Sequence, residues 1–138
     1  MNKCIFCKII EDEAESEKIY ETGKTLAFLD NRPRAPGHTL VITKKHIKTM
    51  KELEDDLISE VFITVKEVEK LLDKSLNPDA FTIGINDGSE AGQEIPHLHV
   101  NVIPRFKEDR GRPIQSLVNN NPKDSIKLIA MNIRKSKQ

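Results

Sequence analysis

The stretch Ile95–Arg105, reading IPHLHVNVIPR, constrains the fold more than any other part of the chain. Over its middle it alternates strictly, with His97, His99 and Asn101 at every second position and Leu98, Val100 and Val102 between them. Successive side chains of a strand point to opposite faces, so one face is aliphatic and the other carries two imidazoles and a carboxamide. The aliphatic face has to be covered by a second layer. The polar face asks for another explanation, because groups that ionise or hydrogen-bond are seldom aligned on a sheet without partners. Two surface histidines on a half-exposed strand would be the plainer account of a lone His. His-x-His-x-Asn behind a Gly-rich turn favours a functional site. Pro96 and Pro104 bracket the run and predict that ladder pairing is interrupted at both ends.

The covering layer is legible upstream. Thr49-Met50-Lys51-Glu52 has the form of a capping box, which marks a helix start. Leu53, Leu57, Val61, Val65, Val68 and Leu72 then recur at spacings of three and four, predicting an amphipathic helix to about Leu76, with Asn77-Pro78-Asp79 as its stop. Lys18–Tyr20, Thr25–Leu29, His38–Thr43 and Phe81–Ile85 read as strands, the first two joined by a Gly23-Lys24 turn. The loop 86–93 joins the fourth strand to the histidine strand as an antiparallel pair. Asn121 and Pro122 offer an N-cap and first-turn proline for a short helix through Ile126, Ile129 and Ile133. The order predicts one α+β domain over residues 1–138: an antiparallel five-stranded sheet, one long helix and a short C-terminal helix. Its parts are an N-terminal CxxC segment (1–10), the histidine strand (95–105), and a tail and helix (106–138).

At 138 residues the chain is long enough for one compact core and too short for two ordinary ones. Charged residues are 32% of it, yet the net charge is zero, so no overall field favours nucleic acid or a membrane surface. No apolar run approaches a membrane span, and MNKCIFCKII is too short in apolar residues for a signal peptide, so a cytoplasmic location is expected. Aromatic residues are only 4% with no Trp, which makes Ile, Leu and Val the expected core.

Cys4 and Cys7 form the only cysteine pair, spaced C-x-x-C. In a reducing compartment this is a redox pair, half of a metal site or two half-buried thiols. A thioredoxin-like motif follows a strand, and here none precedes it, so a zinc half-site is favoured; its missing ligands must be histidines. Asp30 closes the second strand, where a carboxylate caps a turn or reaches a ligand's hydroxyls. His46 falls just past the third strand, where a loop ligand would fit. The small residues of the loop 86–93 let backbone N–H groups approach an anion closely. Beside such a loop an unprotonated imidazole can attack phosphorus and form a phosphohistidine, splitting one difficult displacement into two. Zinc ligation by His-x-His and the CxxC is a competing use of the same residues.

These landmarks together resemble the histidine-triad (HIT) superfamily of nucleotidyl hydrolases and transferases, and within it the small bacterial and archaeal branch related to purine nucleoside phosphoramidases. The resemblance runs through CIFCKII, AFLD (Ala27–Asp30), PGHTLVI (Pro36–Ile42), KKH (Lys44–His46), IND-G (Ile85–Gly88), AGQ (Ala91–Gln93) and HLHVNVIPR, in that order. It implies the HIT-like fold. It implies that His99 is the nucleophile carrying a transient nucleoside monophosphate, and that a structural zinc is held by Cys4, Cys7, His46 and His97. It further implies that Asp30 holds ribose hydroxyls, that Asn86, Gly92 and Gln93 line the phosphate and leaving-group side, and that the partner is a purine nucleotide. A homodimer is implied as well. An apolar purine pocket is drawn from Phe6, Ile10, Phe28 and Leu29.

The chain departs from the family pattern twice. The third triad position is Asn101, which can donate and accept hydrogen bonds but cannot supply a proton as an imidazolium does. Transferase and phosphorylase branches of the superfamily carry Gln there. Glu94 stands where many phosphoramidases have Ser or Thr; it either repels phosphate or orients an amine leaving group. The primary expectation is an enzyme acting on the α-phosphate of a purine nucleotide, such as an AMP phosphoramidate, an adenylate anhydride or a dinucleoside polyphosphate. The alternative is a nucleotide-binding module with weak or no turnover. A third is a zinc-stabilised dimer scaffold.

Overall fold

A computed structural model describes residues Lys3 to Lys137. Five strands form one antiparallel sheet: β1 (Lys18–Glu21), β2 (Thr25–Leu29), β3 (Thr39–Thr43), β4 (Ala80–Gly84) and β5 (His99–Arg105), in the order β1-β2-β3-β5-β4. Three α-helices accompany it: α1 (Ile5–Ile10), α2 (Asp55–Leu76) and α3 (Ile126–Lys135). The expected α+β architecture is the one observed, with β4 and β5 joined as an antiparallel pair.

The long helix covers one face of the sheet. Val61, Val65, Val68 and Leu72 of α2 pack on Ala27, Val41, Val100 and Val102, a core of aliphatic side chains. Each Val or Leu of that core, fully buried, contributes about 1.5–3 kcal/mol. The helix periodicity also buries Thr64, whose hydroxyl shares a 2.7 Å hydrogen bond with that of Thr25. The other face of the sheet presents Leu26, Phe28, Leu40 and Ile42, and α1 covers it with Phe6 and Ile9. His99 and Asn101 stand on this second face, where β5 is half-buried rather than closed.

Several local expectations are corrected. The long helix begins at Asp55 rather than at Thr49. Thr49 makes no side-chain cap, Met50–Glu52 turn once as a 3-10 helix, and Leu53 is extended (φ −81°, ψ 119°). Burial of Leu53 against Ile47 and Leu98 interrupts the turn, and Glu52 instead accepts from the Lys48 N–H. Asp55 and Asp56 in the first turn of α2 suit the helix dipole. Asn77 closes α2 in the left-handed conformation (φ 50°), as its place in the stop signal suggests.

β5 starts at His99, so Ile95–Leu98 lie outside the ladder and His97 is not placed by strand alternation. Its N–H bonds the Ile95 carbonyl and the next, Leu98 N–H, bonds the Ile47 carbonyl. Pro104 does not interrupt the sheet: it pairs with Phe81 of β4, while the β3 ladder has already ended at Val102. A residue without an N–H is tolerated where a strand is paired on one side only. In the tail, α3 is capped by Ser125, whose hydroxyl accepts from the Leu128 N–H, and not by Asn121. No residue of α3 is buried on this chain, and Ile126 is 82% exposed. The helix α1 is an addition; six residues are too few for a periodicity to show.

Gly37 makes the join between the loop 30–38 and β3 possible. Its φ is +84°, and a Cβ there would lie 2.5 Å from Leu76 Cδ1 and within 3.3 Å of Leu72 and Pro104. At the far end of β5, Arg105 grips both carboxylate oxygens of Asp109 and the Thr82 hydroxyl, fixing the start of the tail.

Candidate functional site

Cys4 is the N-cap of α1 and its sulfur accepts the Cys7 N–H, so one helical turn sets both thiols on the same side. His46 follows β3 and His97 precedes β5, and the β3–β5 pairing brings these two loops together over the thiols. The four ligand atoms are Cys4 Sγ, Cys7 Sγ, His46 Nδ1 and His97 Nδ1, all within 4.8 Å of one another. The sulfurs are 3.2 Å apart, and the sulfur–nitrogen separations run from 3.3 to 3.6 Å. Those spacings are near the edges of a tetrahedron with metal–ligand bonds of about 2.0–2.3 Å.

The chemistry of the set agrees with the spacing. His97 is fully buried and its Nε2–H donates to the Thr43 carbonyl at 2.7 Å, which leaves the Nδ1 lone pair directed at the thiols. Such a carbonyl partner on the outer nitrogen is how ligand histidines are held in one tautomer. Burial pushes the His97 imidazole down to about 4, so it is neutral at pH 7. Burial and the neighbouring Cys4 thiol push the Cys7 thiol up to about 11. A bound cation reverses that tendency and draws the thiolate form. The cluster could therefore hold a metal ion, and the two uses of the histidine strand separate: His97 turns to the cysteines and His99 does not.

His99 is half-buried at the start of β5. Its Nδ1–H donates to the His97 carbonyl at 2.9 Å, leaving Nε2 with a free lone pair. The edge-on ring of Phe6, 5.2 Å away between centroids, packs against it, and the same ring meets His97 at 5.8 Å. Asn101 follows on the same face. Its Oδ1 accepts from His38 Nε2 at 2.9 Å and its Nδ2 donates to the Gly84 carbonyl at 3.4 Å. Gly84 is its cross-strand partner on β4, and a Cβ added there would meet only open space.

Of the remaining expected residues, Asp30 is half-buried just beyond β2; its Oδ1 caps the Arg32 N–H and its Oδ2 lies 3.8 Å from His38 Nε2. Gly88 and Gly92 adopt φ of +110° and +100°, and Asn86 lies against Gly92. Glu94 is exposed. Gln93 is buried with its carboxamide fully engaged by backbone: it accepts from Gly88 N–H and donates to the carbonyls of Lys48 and Ile95. It shapes the loop from inside. The Asp87 carboxylate accepts the Met50 N–H, so the loop 86–93 is clamped to the segment that follows His46. Phe28 departs from expectation, because it is 3% exposed and packed edge-to-face on Phe6 at 5.4 Å, leaving almost no surface for a base. Ile10 and Leu29 of the same apolar set are half-buried.

One residue was not anticipated. His38 is 4% exposed, accepts the Arg34 N–H at Nδ1 and donates to Asn101. Its signal in the sequence is its place beside Pro36-Gly37 at the head of a strand that pairs with the histidine strand. That pairing is a long-range fact.

The comparisons with known proteins agree with this fold. The family model described as the HIT domain matches residues 11–108, and the chain belongs to that family. An uncharacterised HIT-like protein of Methanocaldococcus jannaschii is 44% identical over 106 residues, spanning 77% of this chain and 81% of that protein. An adenosine 5'-monophosphoramidase of Schizosaccharomyces pombe is 38% identical over 78% of each chain. An adenylylsulfatase of Arabidopsis thaliana is 36% identical over 78% of this chain and 55% of its own length. Among solved structures, a HIT family protein of Bacillus subtilis superposes with a TM-score of 0.84 at 33% identity, covering 97% of this chain and 96% of that one. A zinc-bound histidine triad family protein of Mycobacterium smegmatis gives 0.74 at 28% identity, covering 98% and 97%. Among the described residues no helix is long and apolar enough to cross a membrane.

Proposed function

We propose that the chain is a nucleotidyl hydrolase or transferase acting on the α-phosphate of a purine nucleotide through a covalent nucleotidyl-histidine at His99. The observation that carries it is the tautomer of His99: Nδ1–H is spent on the His97 carbonyl, so Nε2 keeps its lone pair for an incoming phosphorus. That lone pair attacks the α-phosphorus in line. The Nε2–P bond forms as the bond to the leaving group breaks, and the leaving group departs with the electron pair and takes up a proton. Water or another acceptor then attacks phosphorus, the Nε2–P bond breaks and the monophosphate is released. Backbone N–H groups of the loop offset charge on the non-bridging oxygens. In this scheme Asp30 Oδ2 holds ribose hydroxyls, Asn86 and Gly92 face the phosphate side, Gln93 keeps the loop in shape, and Glu94 orients an amine leaving group.

Zinc is the metal proposed for Cys4, Cys7, His46 and His97, and its role is structural: it ties α1 to the loop after β3 and the segment before β5. The sulfur–nitrogen donor set supports it, as does the zinc-bound relative. The proposal extends to a single domain, a homodimer in the cytoplasm, and a small nucleotide as partner with neither nucleic acid nor membrane. The exposed Ile126 and Ile133 of α3 and Leu117 and Val118 before it support the homodimer, since one chain leaves them uncovered.

A second reading, nucleotide binding with little turnover, is favoured by Asn101, which brings no imidazole to the third position. The discriminating experiment is AMP release from an adenosine phosphoramidate by the native chain, His99→Ala and Asn101→His. Turnover that disappears in His99→Ala supports the covalent route. Nucleotide affinity with no turnover in the native chain or Asn101→His would leave the binding module, and equal release by the native chain and His99→Ala would overturn the role of His99.

A further inference from the structure

We infer that His38 is a positioning residue that sets which way the Asn101 carboxamide faces, and so makes the third position of the strand a hydrogen-bond donor toward the bound phosphate. This rests on the covalent chemistry proposed for His99. His38 is 4% exposed, and both its ring nitrogens are engaged. Nδ1 lies 3.1 Å from the Arg34 backbone nitrogen, which can only donate, so Nδ1 is the acceptor. A neutral ring then carries its proton on Nε2, and Nε2 lies 2.9 Å from Asn101 Oδ1. The tautomer is therefore imposed by the loop 30–38, and the tautomer imposes the flip of the amide. Were Asn101 turned over, its NH2 would meet the Nε2–H of His38, donor against donor, and its oxygen would meet the Gly84 carbonyl, acceptor against acceptor. Both contacts would be lost at a half-buried site beside the buried His38 ring, and unsatisfied polar groups are costly there.

The consequence concerns what Asn101 has left to offer. Its oxygen accepts from His38 and one N–H goes to Gly84, so the donor left over is the second N–H, and the oxygen keeps one lone pair. That N–H can stabilise a phosphate oxygen, and a neutral amide oxygen is too weak a base to draw a proton from water. The device crosses from the residue before β3 to the end of β4: His38 immediately precedes β3, Asn101 lies in β5 and Gly84 ends β4. Asp30 Oδ2 lies 3.8 Å from the same Nε2, beyond hydrogen-bond distance.

The test has two independent readouts. Nitrogen-15 NMR of the native chain reports the His38 tautomer whether or not the protein turns over substrate. A protonated Nε2 with an unprotonated Nδ1 is expected, and the reverse would overturn the inference even if His99 chemistry were proven. Kinetics on an adenosine phosphoramidate then uses His38→Phe, which keeps a ring and removes the donor, and His38→Gln, whose amide nitrogen reaches the same place. His38→Phe is expected to lower kcat/KM about tenfold, the scale of one directed hydrogen bond. His38→Gln should recover most of that loss, and the effect of His38→Phe should shrink to less than about twofold once Asn101 is Leu. An equal loss in both backgrounds would make His38 a packing residue, as would failure of Gln to rescue in a chain that melts at the native temperature. If His38→Phe does not fold, the tautomer and the Gln variant decide.

Discussion

Gly37→Ala isolates how the loop before β3 is held, and its cost can be worked from two contributions. The first is backbone: φ is +84°, in the left-handed half of the map, where a Cβ costs about 1–2 kcal/mol. The second is contact, since the new methyl would lie 2.5 Å from Leu76 Cδ1, 3.2 Å from Leu72 Cδ2 and 3.3 Å from Pro104 Cγ. Leu76 is 40% exposed at the end of α2 and can swing aside into water, whereas Leu72 at 4% exposure cannot. The severe contact is therefore cheap, and the backbone contribution dominates. The expected loss is about 1.5–3 kcal/mol, or a fall in Tm of roughly 5–10 °C for a chain of this size. Urea unfolding of Gly37→Ala, Leu76→Ala and the double variant separates the two contributions. The coupling between the two positions should stay below about 0.5 kcal/mol. A neutral Gly37→Ala would refute the reasoning outright. A double variant no less stable than Leu76→Ala would show that the methyl–Leu76 contact, and not the backbone, is what Gly37 avoids.

Two further outcomes are expected. Metal analysis of the purified chain should find about one zinc per chain, lost in Cys7→Ser, with Tm lowered on the order of 10 °C in that variant and in chelator-treated native protein; native protein that melts identically with and without chelator would refute a structural metal. In metal-stripped protein, stability should fall as pH drops from about 6.5 toward about 4, because burial holds His97 neutral in the folded chain while the unfolded chain takes up the proton. The loss is at most about 3 kcal/mol, and urea midpoints that stay flat between pH 7 and 5 would contradict it.

Residues whose chemistry repeats at short range were readable in the sequence. The CxxC, the His-x-His-x-Asn and the Gly-rich loop each lie within a few positions of their meaning, and the long apolar spacing of α2 names its buried face. What failed was decided by contacts distant in the chain. Thr49-x-x-Glu52 is a sound helix-start signal locally, yet Leu53 is drawn into a pocket with Leu98, and the helix begins later. His97 was read by strand alternation, but the cysteines and the Thr43 carbonyl fix it outside the ladder. His38 looks like any lone histidine until β3 pairs with β5 and sets it against a residue 63 positions away. The apolar residues of α3 gave a correct helix and no hint that one chain leaves them uncovered.

The helix α1 is too short to persist alone, since one costly nucleus would be supported by only two hydrogen-bonded turns at most. Its order is borrowed from the sheet through Phe6 and Ile9, and from the thiols at its start. If that segment detaches, it bares Leu26, Phe28, Leu40 and Ile42, an apolar patch on the face that also carries His99 and Asn101. Exposed faces of this kind associate with one another. The helix α1 is thus a cover whose loss the protein would register as stickiness before it registered as unfolding, and the side chains gathered at Cys4 and Cys7 are the latch on that cover.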